Sequence, residues 1–331
     1  KNHVSEISTI AQSLLIETTY PVVLATLVHV EGSSYRRAGA RRLIASDGSA
    51  IGSISGGCLE NDIQERAVTL LETVNRFELV IYDTKSENDI LWGTGTGCHG
   101  VVKVLLEKMD QCPSWAEKIW AAENSRQNVA INTIWEISDQ ETSRLGTSLA
   151  ENSGSAQTGT FGQTIPPSPH VIIFGAGDDA ISVSRLIRAT GWKNSICDPR
   201  ANFATTGRFP TADQVLCVPA EEAVSQFDWD DKTMAVVMTH HYRFDLPLLT
   251  VLVPMNLPFL GLLGPKERGA RLLRDAKIPL ESANLHNPIG LDLGGDGPEA
   301  VALSIVAEIQ ANLHGRDGQP LRNRSRPIHE S

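Results

Sequence analysis

Cysteine is scarce in this sequence. Five occur in 331 residues, an odd number with no C-x-x-C pair and no repeated spacing. That excludes a disulfide framework and a four-cysteine zinc site. An excess of positive charge is also missing. The formal net charge is −10, which speaks against non-specific binding to nucleic acid or to an anionic membrane. Long apolar runs are absent too. The nearest candidate, "FDLPLLTVLVPMNLPFLGLLG" at 244–264, contains Asp245, Asn256 and the prolines 247, 254 and 258. It reads as a buried helix, a loop and a buried strand, with no membrane span. The first residues, "KNHVSEISTIAQSLLIETTYP", carry acids and no apolar core, so neither a signal nor a transit peptide is expected there. A cytoplasmic protein with reduced thiols is the expectation. No internal repeat is visible.

What is present suffices for two cores. Hydrophobic residues make up 41% of the chain, ordinary for globular protein, and the length suits two domains. Composition shifts at 143–169, "SRLGTSLAENSGSAQTGTFGQTIPPSP", where Ser, Gly, Thr and Pro dominate. That stretch is expected to be a linker. It would separate a domain at 1–142 from one at 170–315, with a polar tail at 316–331.

The first half reads as mixed α/β. Helices are predicted at 3–18, 59–74 and 114–126. Strands are predicted at "PVVLATLVHV", on either side of an Asp47-Gly48 turn, and at "FELVIYD", "GVVKVLLEKM" and "NVAINTIWEI". The second half alternates strands (170–174, 193–197, 214–218, 234–239, 258–262) with helices (178–190, 220–226, 245–253, 266–275, 298–313). That is the pattern of a Rossmann-like, doubly wound parallel sheet.

"HVIIFGAGDDA" contains Gly175, Gly177 and Ala180 in a G-x-G-x-x-A arrangement between a strand and a helix. The first glycine permits the tight turn, the second lets backbone approach a pyrophosphate, and the alanine allows close helix packing. Asp198 follows 21 residues past Gly177, where a ribose hydroxyl would be read. Arg200 offers the alternative of a phosphate near the ribose, while Asp178 and Asp179 place negative charge where a phosphate would sit. His240, His241, Asp245, Lys266 and Arg268 fall near other strand ends and are candidate walls of the same crevice. Two adjacent histidines do not share a strand face, so no metal site is expected from them.

In the first half, "SISGGCLENDIQERA" sets Cys58 behind Gly56 and Gly57 at the start of a helix. A helix N-terminus favours the thiolate, against Glu60 and Asp62. Cys98 stands in a matching context, "GTGTGCHG". The pair is expected to form one site from two loops, and the competing reading is two inert cysteines in tight turns. Cys197 and Cys217 fall in predicted core strands, and Cys112 in a loop. "EGSSYRRAGARRL" gathers Arg36, Arg37, Arg41 and Arg42, whose forks suit phosphate oxygens. The competing reading is a solvated strand edge.

These segments, with "CDPRANFA", "FLGLLGPKERGARLL" and "HNPIGLDLGGDGPEAVALSIVAEI", occur in the order seen in the XdhC/CoxI family, which the chain resembles over nearly its whole length. These are accessory factors of molybdenum hydroxylases such as xanthine dehydrogenase. The resemblance implies a maturation chaperone. It would bind molybdenum cofactor, protect it while its terminal sulfido ligand is installed, and hand it to the apoenzyme. It implies a cysteine desulfurase and the hydroxylase apoenzyme as partners, and no turnover of its own. Cys58 and Cys98 match the family's glycine-flanked cysteines and stand as candidate molybdenum contacts. Gly175, Gly177 and Asp198 match its nucleotide fold. A homodimer is the default assembly. An NAD(P)-dependent oxidoreductase, using the second domain with NAD(P) or another dinucleotide, is the competing function.

Overall fold

The computed structural model describes residues 3–16, 19–32, 36–83, 100–136, 144–150, 159–280 and 284–325. The chain forms two compact units, Lys1–Pro167 and Ser168–Ser331.

In the first unit α1 (His3–Ile16) precedes β1 (Val22–Gly32), β2 (Arg41–Ala45), β3 (Ala50–Gly52), α2 (Glu60–Leu71), β4 (Phe77–Asp83) and β5 (Gly100–Met109). The five strands form an antiparallel sheet in the order β3-β2-β1-β5-β4. Alternation along β1 feeds two cores. Val22 and Leu24 pack with Ile7 and Ile10 of α1 and with Trp115 and Ile119 of α3 (Ser114–Ser125). Val23, Ala25 and Leu27 pack with Ile63, Ala67 and Leu70 of α2. The sheet is covered on both faces, so residues 22–28 of β1 are all buried. The expected turn between β2 and β3 forms, with the Asp47 carboxylate accepting the Ser49 N–H at 2.9 Å and Gly48 at φ +84°.

A second, three-stranded antiparallel sheet has the order β7-β6-β8, from β6 (Val129–Ile134), β7 (Gly146–Leu149) and β8 (Thr160–Ile165). Two of its strands lie in the stretch expected as a linker. The polar composition there marks strands with a solvent-facing side, since β8 alternates toward a buried Ile165. Thr133 and Thr147 pair directly across β6 and β7, their hydroxyls 3.2 Å apart.

The second unit is a parallel sheet in the order β11-β10-β9-β12-β13. Its elements are β9 (His170–Phe174), α4 (Asp178–Ala189), β10 (Lys193–Cys197), β11 (Gln214–Leu216), α5 (Ala220–Ala223), β12 (Thr233–Val237), α6 (Tyr242–Leu252), β13 (Leu260–Leu262), α7 (Lys266–Asp275) and α8 (Pro298–Leu313). Val171 and Ile173 point to the face carrying α4 and α8. Ile172 and Phe174 point to the face carrying α5, α6 and α7. This is the doubly wound arrangement, with strand order reversing between β9 and β12.

Three local readings change. β11 stops at Leu216, which leaves Cys217 exposed rather than in a core strand. β12 stops at Val237, so His240 and His241 lie in the connection to α6 and not on a strand. That helix begins at Tyr242, ahead of the expected 245. Among the described residues no helix is long and apolar enough to cross a membrane.

Candidate functional site

The glycine–cysteine loop of the first unit starts where β3 ends. Gly52 has φ +90°, and a Cβ there would lie 2.2 Å from the Arg41 carbonyl oxygen, so only glycine fits. Beyond it the chain curls around one side chain. Glu60 Oε1 accepts from the Ser53 hydroxyl (2.9 Å) and from the N–H groups of Ile54 (3.1 Å), Ser55 (2.8 Å) and Gly56 (3.2 Å). Its Oε2 accepts from the Gly57 N–H at 2.8 Å and from the Ser55 hydroxyl. Gly56 and Gly57, at φ +91° and +130°, make the curl possible. Burial opposes the Glu60 charge, but the donors led by Ser55 prevail and hold its carboxyl down at about 2. Ile54 and Leu59, 1% and 5% exposed, pin both sides of the loop into the core beneath α2. Cys58 sits between them, exposed, just before the helix cap at Leu59. Cys98 lies outside the described residues.

The basic cluster is mostly spent inside the unit. One terminal nitrogen of Arg36 donates to both Glu6 oxygens, at 3.1 and 2.9 Å, and Glu6 also accepts the Arg41 N–H at 3.0 Å. Arg41 is 1% exposed. It donates to the Gly39 carbonyl (2.9 Å) and to Gln163 (2.8 Å), while its Nε and second terminal nitrogen have no hydrogen-bond partner among the described residues. Burial pulls its pKa down to about 10 against the charges of Glu107 and Glu6. Arg42 donates to the Gly52 carbonyl at 3.0 Å and to Gln64 at 3.2 Å. Of the four arginines whose forks suit phosphate, only Arg37 is exposed.

In the second unit the turn Gly175-Ala176-Gly177 joins β9 to α4. Gly175 has φ +116°, and a Cβ would lie 2.5 Å from the Met238 carbonyl oxygen. Gly177 caps α4, and Ala180 is fully buried against the sheet. The backbone thus has the shape expected of a dinucleotide loop, but part of its polar rim already has partners within the chain. The Asp198 carboxylate, 1% exposed, accepts the Ala176 N–H at 2.8 Å. It also takes the Arg200 N–H (2.9 Å) and both arms of the Arg200 guanidinium (2.9 and 2.7 Å). Burial works against the charge, yet these donors keep the carboxyl below its usual range. Acid and arginine, alternative readers of a ribose or its phosphate, are thus bound to each other. Arg200 lies over the Phe203 ring at 4.0 Å with Arg208 at 5.2 Å, and Arg208 reaches Asp178 at 2.8 Å.

At the start of α4, Asp179 accepts the Ala180 N–H at 2.9 Å, and its other oxygen meets His240 Nε2 at 2.7 Å. That hydrogen bond raises the His240 pKa. His240 takes φ +59°, rare for a side-chain-bearing residue. His241 is exposed, its ring 5.4 Å from that of Phe244. Asp245, fully buried, is held by Arg268 and by the Thr239 hydroxyl. Beside them a small apolar cleft opens at the strand ends, lined by Phe174, Cys197, Val218, Thr239 and Phe244 among others. Burial, then the Asp198 charge, push the Cys197 thiol up to about 12, so it is inert there. No group of three or more metal-ligating side chains occurs among the described residues.

Comparison with known proteins places both units. Residues 171–309 match the XdhC Rossmann domain, and residues 15–83 match the XdhC and CoxI family. A probable xanthine dehydrogenase subunit of Bacillus subtilis (strain 168) is 35% identical over 89% of this chain and 94% of its own length. The molybdenum cofactor insertion chaperone PaoD of Escherichia coli (strain K12) is 24% identical over 88% of this chain and 84% of its own. A crystal structure described as a xanthine dehydrogenase from Bacillus halodurans superposes with a TM-score of 0.81 at 30% identity, covering 94% of this chain and 97% of that one.

Proposed function

The chain belongs to the XdhC and CoxI family, and from that premise we propose that it is an accessory factor of a xanthine dehydrogenase-type molybdenum hydroxylase. It carries molybdenum cofactor as cargo, shields it while the terminal sulfido ligand is installed, and delivers it to the apoenzyme in the cytoplasm. A cysteine desulfurase and the apoenzyme are its partners, and it works as a homodimer without turnover of its own. The observation that carries this reading is Cys58, an exposed thiol on a glycine loop clamped by Glu60 in the unit matching the family. A thiol is a soft donor suited to molybdenum and to sulfur chemistry. Cys98 is the proposed second sulfur. The likeness to PaoD supports the nature of the cargo.

The test is cofactor retention. Chain purified from cells that make molybdenum cofactor should release a fluorescent pterin after oxidation and denaturation, and Cys58→Ser should lose most of it. No pterin on the unaltered chain, or equal amounts on both, would sink the reading. A second reading, an NAD(P)-linked oxidoreductase, draws on the Gly175 turn and the apolar cleft at the strand ends. The charges weigh against it: Asp178 and Asp179 stand where a pyrophosphate would sit, and Asp198 is already forked by Arg200. Saturable quenching of NADPH fluorescence with hydride transfer to an acceptor would restore it.

A further inference from the structure

We infer that Glu60 is the positioning residue of the Cys58 thiol. The stretch from Ser53 to Leu59, with two glycines at positive φ, has many conformations open to it. Here the N–H groups of residues 54 to 57 and the hydroxyls of Ser53 and Ser55 all turn inward onto one carboxylate. Ser55 passes the constraint on, since its hydroxyl oxygen accepts the Leu59 N–H at 2.9 Å. The thiol is left as the outward side chain between two anchored neighbours, Ile54 and Leu59. Glutamine keeps the shape but turns an amide nitrogen toward donors, so it breaks the collar without emptying it. Aspartate keeps the charge but is one methylene short of spanning Ser53 to Gly57. The inference deepens the reading of Cys58 as the cargo's contact, yet the direction of the thiol can be measured without cargo.

The experiment uses the full chain with Glu60→Gln, Glu60→Asp and Cys58→Ser. Iodoacetamide labelling of Cys58 is followed by peptide mass spectrometry across pH, with exposed Cys217 as the control in the same molecule. Molybdenum cofactor released from a molybdoenzyme serves as the cargo probe, measured as fluorescent pterin, and thermal unfolding reports the fold. In Glu60→Gln, Cys58 labelling relative to Cys217 should rise several-fold with a shifted pH profile. Cofactor retention should fall about tenfold, the scale for losing a group that orients a ligating side chain. Glu60→Asp should restore part of both, and it decides the matter if the glutamine variant fails to fold. Unchanged labelling and pH profile in the folded variants overturn the inference, even where Cys58→Ser still loses the cofactor. Altered labelling with full cofactor retention in all three variants upholds the positioning and removes Cys58 from cargo binding.

Discussion

Asp198→Asn changes almost no volume and removes one charge from a site that is 1% exposed. The carboxylate there accepts from the Ala176 N–H, the Arg200 N–H and two arms of the Arg200 guanidinium. An asparagine must turn its amide nitrogen toward some of these donors, and the guanidinium loses its counter-ion. Removing one partner of a buried pair costs about 3–5 kcal/mol. The Arg200 side chain keeps 31% of its surface, so water takes up part of its charge and the lower end, about 3 kcal/mol, applies. A unit of this size shifts by about 2–4 °C per kcal/mol, so its calorimetric Tm at neutral pH should fall by about 6–12 °C. The effect has a pH signature. The folded carboxyl titrates below its unfolded value, so its contribution is present above about pH 4 and lost as pH falls through the lowered folded pKa. The gap between wild type and variant should therefore narrow in acid. A loss under about 2 °C at neutral pH, or a gap that does not close below pH ~4, would refute the argument.

Two other titrations follow from the structure. Burial raises Glu107 to about 7 despite hydrogen bonds from Thr147 and the charges of Arg41 and Arg76. The folded state therefore holds a proton that the unfolded state releases, and stability should decline by about 1.4 kcal/mol per pH unit between roughly pH 4.5 and 7. Urea unfolding of Glu107→Gln should lack that slope, and equal slopes in both proteins would contradict it. His240 is raised chiefly by its hydrogen bond to Asp179, so the pair is worth most below the ordinary histidine range and fades as pH climbs through the folded value. In Asp179→Asn the His240 NMR titration should drop back toward about 6.5, and an unmoved midpoint would remove the pair from the account.

Where the fold was legible, packing followed local periodicity. Ile63, Ala67 and Leu70 mark the buried side of α2, and the alternation in His170–Phe174 feeds the two faces of the parallel sheet. The Gly175 turn was legible because a steric demand leaves a residue type behind. Long-range polar pairing leaves no such trace. Glu6 lies 30 residues from Arg36, and nothing near either announces the pair. Arg200 and Asp198 were both visible, but the sequence does not say that they bind each other. Glu60 read as a charge opposing the thiolate, whereas it is the centre of the loop; the one available signal was a run of small residues ending in an acid at the first helical position. Strands at 146–149 and 160–165 were missed because their alternation runs through Thr, Ser and Gly rather than apolar residues.

Two amides around the start of α4 are tenanted by carboxylates that the chain itself supplies, Asp198 on Ala176 and Asp179 on Ala180. An anionic visitor that takes either of those two amides does not fill a void; it evicts a tethered resident whose local concentration never dilutes. Admission there is an exchange, and only a guest of greater charge density, or one that brings a new home for Arg200 and His240, comes out ahead.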